Sequence, residues 1–185
     1  MRNLTLLVLA IGIAAAIFLI ATYNSLVYKR NRVRSAFSSI DVNLRKRHDL
    51  IPSLVETVKG YAKHEQETLT RLVEARRQIE DGELTESQRL RVEESIGPRV
   101  QRLLAVAESY PELKSNEHFL NLQRNLTEVE EQISAARRAY NAAVFEINNA
   151  VESFPSNFVA NSFGFSRHDF FEIASDQRES ANVDV

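Results

Sequence analysis

The 185-residue chain contains no cysteine. Disulfides, thiol catalysis, cysteine-zinc centres and lipobox acylation are therefore excluded, although the compartment is not identified by that absence. Glycine and proline are scarce, at five and four residues. Gly60, Gly82, Gly97 and Gly164 are isolated, so there is no P-loop, dinucleotide-binding fingerprint or nucleophile elbow. Histidine is limited to His48, His64, His118 and His168. His64-Glu65 opens like H-E-x-x-H, but Thr68 stands where the second histidine would be, so His64 reads as helix surface. His48 and Asp49 are adjacent and diverge on a helix, which leaves Asp49 a capping role. The acidic pairs Glu93/Glu94 and Glu130/Glu131 read as solvated helix faces. No catalytic residue, cofactor or metal ligand is expected, and the chain does not read as an enzyme.

What is present is an uncharged apolar run, Leu4–Ala21 (LTLLVLAIGIAAAIFLIA). A bilayer core of ~30 Å needs roughly 20 apolar residues in a helix, and this run meets that length. It exceeds the h-region of a signal peptide, and Leu19 at the −3 position disfavours cleavage after Ala21. An uncleaved anchor is the expectation. A basic collar of Lys29, Arg30, Arg32 and Arg34 follows, then Arg45, Lys46 and Arg47. That asymmetry places the following segment in the cytoplasm and predicts a single-pass cell-membrane protein. Tyr23 and Tyr28 fit the interfacial aromatic belt. The collar is attracted to anionic lipid heads at ~1 kcal/mol per residue.

Charge is uneven. The Lys29–Arg47 segment carries +6, and the chain from His48 onward carries −9. An acidic body argues against nucleic-acid binding, whose footprint is a basic face.

Ala, Leu, Glu, Gln and Arg dominate, which is helical composition. Val33, Phe37, Ile40, Leu44, Ile51, Leu54, Val58 and Tyr61 alternate in steps of four and three, with Arg47 as the one break. That is the repeat of helices packed at small crossing angles. Pro52 predicts a kink, or a restart with Asp49 as N-cap, and the unbroken phase on both sides favours the kink. Gly60 is a plausible stop. Leu69, Leu72, Val73 and Ile79 mark a second helix ending at Asp81-Gly82. Thr85-Glu86-Ser87-Gln88 has capping-box form before a third helix with Leu90, Ile96, Val100, Leu103 and Leu104. Gly97-Pro98 bends or interrupts that helix, which ends before Pro111. From Ser115 as cap, a last helix runs through Phe119, Leu122, Leu126, Val129, Ile133, Ala136, Tyr140, Ala143, Ile147 and Ala150 to Phe154.

The expected fold is all-α. An N-terminal transmembrane helix (1–23) precedes an elongated antiparallel up-and-down helical bundle (24–154). Four helices are favoured if Gly60 is a turn, three if it is only a bend. With four, the last helix returns to the membrane beside the collar. Residues 155–174 form a Phe-rich segment, since six of the ten phenylalanines fall between Phe154 and Phe171. Phe158, Phe163 and Phe165 there serve either as a plug on the bundle or as an interfacial, partner-binding segment. Residues 175–185 read as a polar tail.

The stretch IDVNLRKRHDLIPSLVETVKGYAKHE, together with FPSN…FGF after a long helix, resembles the LemA family of bacterial membrane proteins. Phe37 stands where the family often carries tryptophan, and NVDV lacks a terminal aromatic; neither bears on the fold. The resemblance implies a single-pass anchor with a helical bundle and no established enzymatic activity. It also implies an association of a related branch with magnetosome membranes and of other members with membrane metalloproteases and stress functions, so that the candidate partner, otherwise unknown, is a membrane protease or an envelope-stress protein. Within the densest match, Arg45, Lys46, Arg47, Asp49, Glu56, His64 and Glu65 either fix the kink and first turn or form a charged recognition surface. The expected function is a membrane-anchored scaffold or adaptor binding protein partners, with closure of the seam between two copies of the chain also allowed. The alternative is a membrane-organising protein acting on anionic lipid through the collar and Phe-rich segment.

Overall fold

The computed structural model describes residues 1–61, 65–81, 86–107 and 109–171, with the side chains of residues 86, 87 and 89–91 excepted. His64, Gly82, Thr85 and the 175–185 tail, all singled out in the sequence, lie outside the described residues. The fold is all-α. Among the described residues the elements are α1 (Arg2–Lys59), α2 (Gln66–Glu80), α3 (Glu86–Ala107), α4 (Pro111–Lys114), α5 (Glu117–Glu152) and α6 (Ser156–Ser162), with no strand.

Of the two readings at Pro52, the restart at Asp49 does not occur. α1 continues through Pro52, so Asp49 lies inside a helix and caps nothing. Pro98 is likewise carried inside α3. α1 stops at Lys59 and the chain turns at Gly60–Tyr61, as the four-helix reading requires. Asn116, not Ser115, caps α5: its side-chain oxygen accepts from the Phe119 amide at 3.1 Å.

The chain divides into two compact units, one built on Met1–Ser39 with Ala136–Glu172, the other on Ile40–Ala135. In the first unit the opening residues of α1 are exposed throughout the apolar run. By length and composition this part of the helix could cross a membrane. Burial begins at Leu26. Leu26 and Val33 of α1 pack with Ala143, Val144, Ile147 and Val151 of α5, Val159 and Ala160 of α6, and Phe165. α1 and α5 run antiparallel there: Arg32 meets Glu146 at 2.5 Å and Phe37 meets Tyr140 at 6.0 Å between ring centroids.

After α6 the chain reverses at Gly164, whose φ of 71° is a left-handed value suited to glycine. The Phe165 amide then closes on the Ala160 carbonyl at 2.9 Å. From there the segment runs back along α5, held by two asparagines. Asn148 donates to the His168 carbonyl and accepts from its amide, both at 2.9 Å. Asn141 does the same for Phe171, at 2.9 and 2.8 Å. A side-chain amide has the donor and acceptor needed to satisfy both backbone groups of one residue. The two asparagines are ~10 Å apart along the helix, and extended chain covers that distance from His168 to Phe171. The register of the strap therefore follows from the asparagine spacing.

In the second unit, four helices share one core. Ile51, Leu54 and Val58 of α1 meet Leu69, Leu72 and Ala75 of α2, Ile96, Val100 and Leu103 of α3, and Phe119 and Leu126 of α5. Leu113 of α4 closes it. α1 and α5 are antiparallel here too, with Arg47 against Glu130 and Tyr61 against Asn116.

Asn148 is buried and its neighbour Asn149 is exposed. Asn148→Ala strands two backbone groups and is expected to cost about 1–3 kcal/mol, with faster amide exchange at His168. Asn149→Ala should fall within about 0.5 kcal/mol of wild type. Hydrogen exchange and thermal unfolding of both variants check this.

Candidate functional site

The residues singled out in the sequence separate into a buried cluster, an outer face and an aromatic end. Arg47, which the sequence offers either as a residue fixing the kink and first turn or as part of a recognition surface, is 1% exposed, and the surface reading is corrected for it. Its Nη2 donates to the Glu93 carboxylate at 2.7 Å and to the Glu93 backbone carbonyl at 2.9 Å. Its Nη1 donates to Glu130 at 3.2 Å. His48 Nε2 lies 3.0 and 3.1 Å from the two Glu93 oxygens. The reading of Glu93 and Glu130 as solvated faces is also corrected, since Glu93 is 1% exposed and Glu130 half-buried.

The positions explain themselves. Arg47 interrupts the apolar alternation of α1 between Leu44 and Ile51. Glu93 falls on the seam of α3 three residues before Ile96. A Cβ at Gly97 would sit 3.4 Å from both Arg47 Nη1 and a Glu130 oxygen. Glycine thus lets the α3 backbone approach the ion pair closely. Burial works to raise the Glu93 carboxyl pKa. The hydrogen bond and charge of His48, with the charge and hydrogen bond of Arg47, outweigh it and hold the group below its ordinary 4.5.

Around this cluster α1 presents Arg45, Lys46, Asp49 and Glu56 as exposed side chains. Lys46, Asp49 and Leu50 line one side of an open groove, and Asn125, Glu128 and Val129 of α5 line the other. Its rim carries both signs of charge and its floor is apolar. Glu65 accepts a hydrogen bond from Thr68 at 3.3 Å and does not line the groove. Among the described residues no three His, Asp or Glu side chains converge as metal ligands would.

In the first unit the collar is partly occupied from within. Arg32 and Lys29 face Glu146 at 2.5 and 3.7 Å. The Arg30 guanidinium lies 5.2 Å from the centre of the Phe165 ring. Arg34 is exposed. Such exposed pairs are worth about 0–1 kcal/mol and leave the collar's charge available. The Phe-rich segment serves in two ways. Phe165 is a core residue, 7% exposed, whereas Phe154, Phe158 and Phe163 are exposed. The Tyr23 ring packs edge-on against Phe163 at 4.9 Å and Phe165 at 5.8 Å. His48, Glu93, Glu130, Asn141 and Asn148 were not marked as partners by the sequence. The usable signal was two seam positions occupied by opposite charges, Arg47 and Glu93.

Residues 36–185 match the LemA family. The chain is similar to "Protein LemA" of Metamycoplasma hominis, 23% identical over 171 residues, covering 92% of this chain and 78% of that protein. It is also similar to "Magnetosome protein MamQ" of Magnetospirillum gryphiswaldense, 22% identical over 195 residues, covering 89% and 71%. "Magnetosome protein MamQ 2" of Paramagnetospirillum magneticum is 34% identical over 76 residues, 41% of this chain and 28% of that protein.

Breaking a buried ion pair is costly, whereas replacing the whole pair with apolar residues often is not. Arg47→Met is expected to lower stability by about 3–5 kcal/mol, and Arg47→Met/Glu93→Leu to recover most of it. Urea unfolding of the full chain in detergent checks the pair. Because the Glu93 pKa is depressed on folding, its contribution is fully present above 4.5 and is lost as pH falls through the folded-state value. Glu93→Gln should remove that part of the acid limb of the stability curve.

Proposed function

The chain belongs to the LemA family, and on that premise we propose that it is a single-pass, membrane-anchored helical scaffold without catalytic activity. The observation that carries the proposal is α1 itself. An exposed apolar stretch long enough for a bilayer continues without interruption into a helix that lines the core of each unit. The basic excess after the span supports a cytoplasmic position for the helices at the cell membrane. Relatives named as magnetosome proteins support a place at a membrane surface.

The partner-binding face in this proposal is the groove of the second unit. Opposite charges at Lys46, Asp49 and Glu128 above Leu50 and Val129 suit a protein segment that presents both signs beside an apolar side chain. The buried Arg47 cluster ties α1 to α5, the two helices that line the groove, so the groove is presented by a fixed surface. The partner is a protein at the same membrane, and a second copy of the chain is one way to meet that description.

Lys46→Glu/Asp49→Lys reverses both rim charges at exposed positions and should change folding stability by less than about 0.5 kcal/mol. Proteins that co-purify with the full wild-type chain from detergent-solubilised membranes should be lost from this variant. Retention of the same proteins by both chains would overturn the groove as the binding face.

A further inference from the structure

The end of the first unit from which the apolar run extends has two features that a water-exposed surface does not require. The first is a gap in charge. No Asp, Glu, Lys or Arg occurs between residues 3 and 28, and none between residues 153 and 166. These two uncharged stretches belong to one unit. They meet where Tyr23 packs on Phe163 at 4.9 Å.

The second feature is exposed aromatic surface at one level. α1 and α5 are antiparallel and tied where Arg32 meets Glu146. Stepping back along α1 from Arg32 to Tyr23 covers about 13 Å, and stepping forward along α5 from Glu146 to its last residue, Glu152, covers about 9 Å. Tyr23 therefore stands just past the end of α5, where the chain turns through Phe154 and where Tyr23 meets Phe163. Phe154 packs edge-on with Phe158 at 6.0 Å. Phe154, Phe158 and Phe163 are 78%, 65% and 60% exposed. At that height α5 has ended, α6 turns the chain round, and α1 alone continues as the apolar run.

We infer that Tyr23, Phe154, Phe158 and Phe163 form an aromatic foot that inserts into the interfacial layer of the same bilayer that α1 crosses. This deepens the proposed function and rests on α1 spanning the membrane. Continuity with the span identifies the occupant. If Ala21 leaves the hydrocarbon, side chains level with Tyr23 stand at the boundary between acyl chains and headgroups. Aromatic rings are enriched at that depth. The first basic residues, Lys29 and Arg30, come about 10 Å further along α1, beyond a polar layer of roughly 5–8 Å. The foot needs no anionic lipid, which separates it from attraction through the collar. Its consequence is that the first unit is seated on the membrane rather than tethered above it.

The chain contains no tryptophan, so single tryptophans report on one position each. The full chain would be reconstituted in phosphatidylcholine vesicles with bromine on the acyl chains. Four variants would be compared: Phe18→Trp in the span, Phe158→Trp and Phe163→Trp in the foot, and Phe145→Trp. Phe145 is 58% exposed and lies about 10 Å up α5 from its end at Glu152. Phe18→Trp should be blue-shifted and quenched. Phe158→Trp and Phe163→Trp should be blue-shifted and quenched more by bromine near the glycerol end than by deeper bromine, at low and high salt alike. Phe145→Trp should remain red-shifted and unquenched. Quenching of Phe18→Trp without quenching of either foot variant would overturn the foot and leave the span standing. A blue shift at the foot without quenching would mean that protein, a second copy included, covers it, and would also overturn the inference. An unquenched Phe18→Trp would refute the span and the foot together.

Discussion

A guanidinium brought inside a helical core is tolerated only where neighbouring helices supply acceptors for it, and Arg47 imposes that condition on the second unit. Its partners come from α3 and α5, and one of them, Glu93, is itself buried and shared with His48. Any slip of α1 against α3 or α5 would leave a charge in the core without compensation, at a cost of several kcal/mol. Apolar seam residues alone tolerate such slips, because leucines and valines meet other leucines and valines after a shift. The cluster therefore specifies the arrangement of helices, while Ile51, Leu54, Leu103 and Leu126 supply the burial that stabilises it. The Gly97 backbone beside the pair and the mixed-charge groove between α1 and α5 are consequences of the same register.

The first unit solves a different problem. It has a single pair of long helices, and its core is completed by chain that has passed their end. Gly164 reverses the direction, Phe165 fills the seam, and Asn141 and Asn148 satisfy the returning backbone. Side-chain amides here do what a neighbouring strand does in a sheet. The same reversal leaves Phe154, Phe158 and Phe163 outside the core, on the end from which the apolar run emerges. Burial in the interior and exposure at the end are thus two outcomes of one short Phe-rich segment.

Much of this was legible in the sequence because helix seams write themselves as a repeat. Ile40, Leu44, Ile51, Leu54 and Val58 on α1, and Phe119, Leu122, Leu126, Val129 and Ile133 on α5, are buried as the three-four alternation requires. Phe154 continued that alternation and is exposed, because α5 has ended before it and periodicity does not report where a helix stops. Leu26 is buried although the uncharged stretch around it hides where the apolar run ends and the seam begins. The candidate site was less legible. Residue type alone makes charged residues read as surface, which hides Glu93 and Glu130; Arg47 shows in the sequence only as an interruption of the seam, without its partners. Pairing between distant helices leaves no local pattern beyond two opposite interruptions of two seams. The asparagine ladder leaves less still, since Asn141 and Asn148 look like ordinary polar positions until the strap they hold is seen.

The proposal that α1 crosses the membrane once and leaves the helices in the cytoplasm is tested most directly by labelling intact cells. A single cysteine at Ser115, an exposed position in a chain without native cysteine, would be offered a membrane-impermeant thiol reagent. No labelling until lysis is the predicted result. Labelling in intact cells would contradict it, reverse the orientation read from Lys29–Arg47, and place the groove and its partner on the outer face of the membrane.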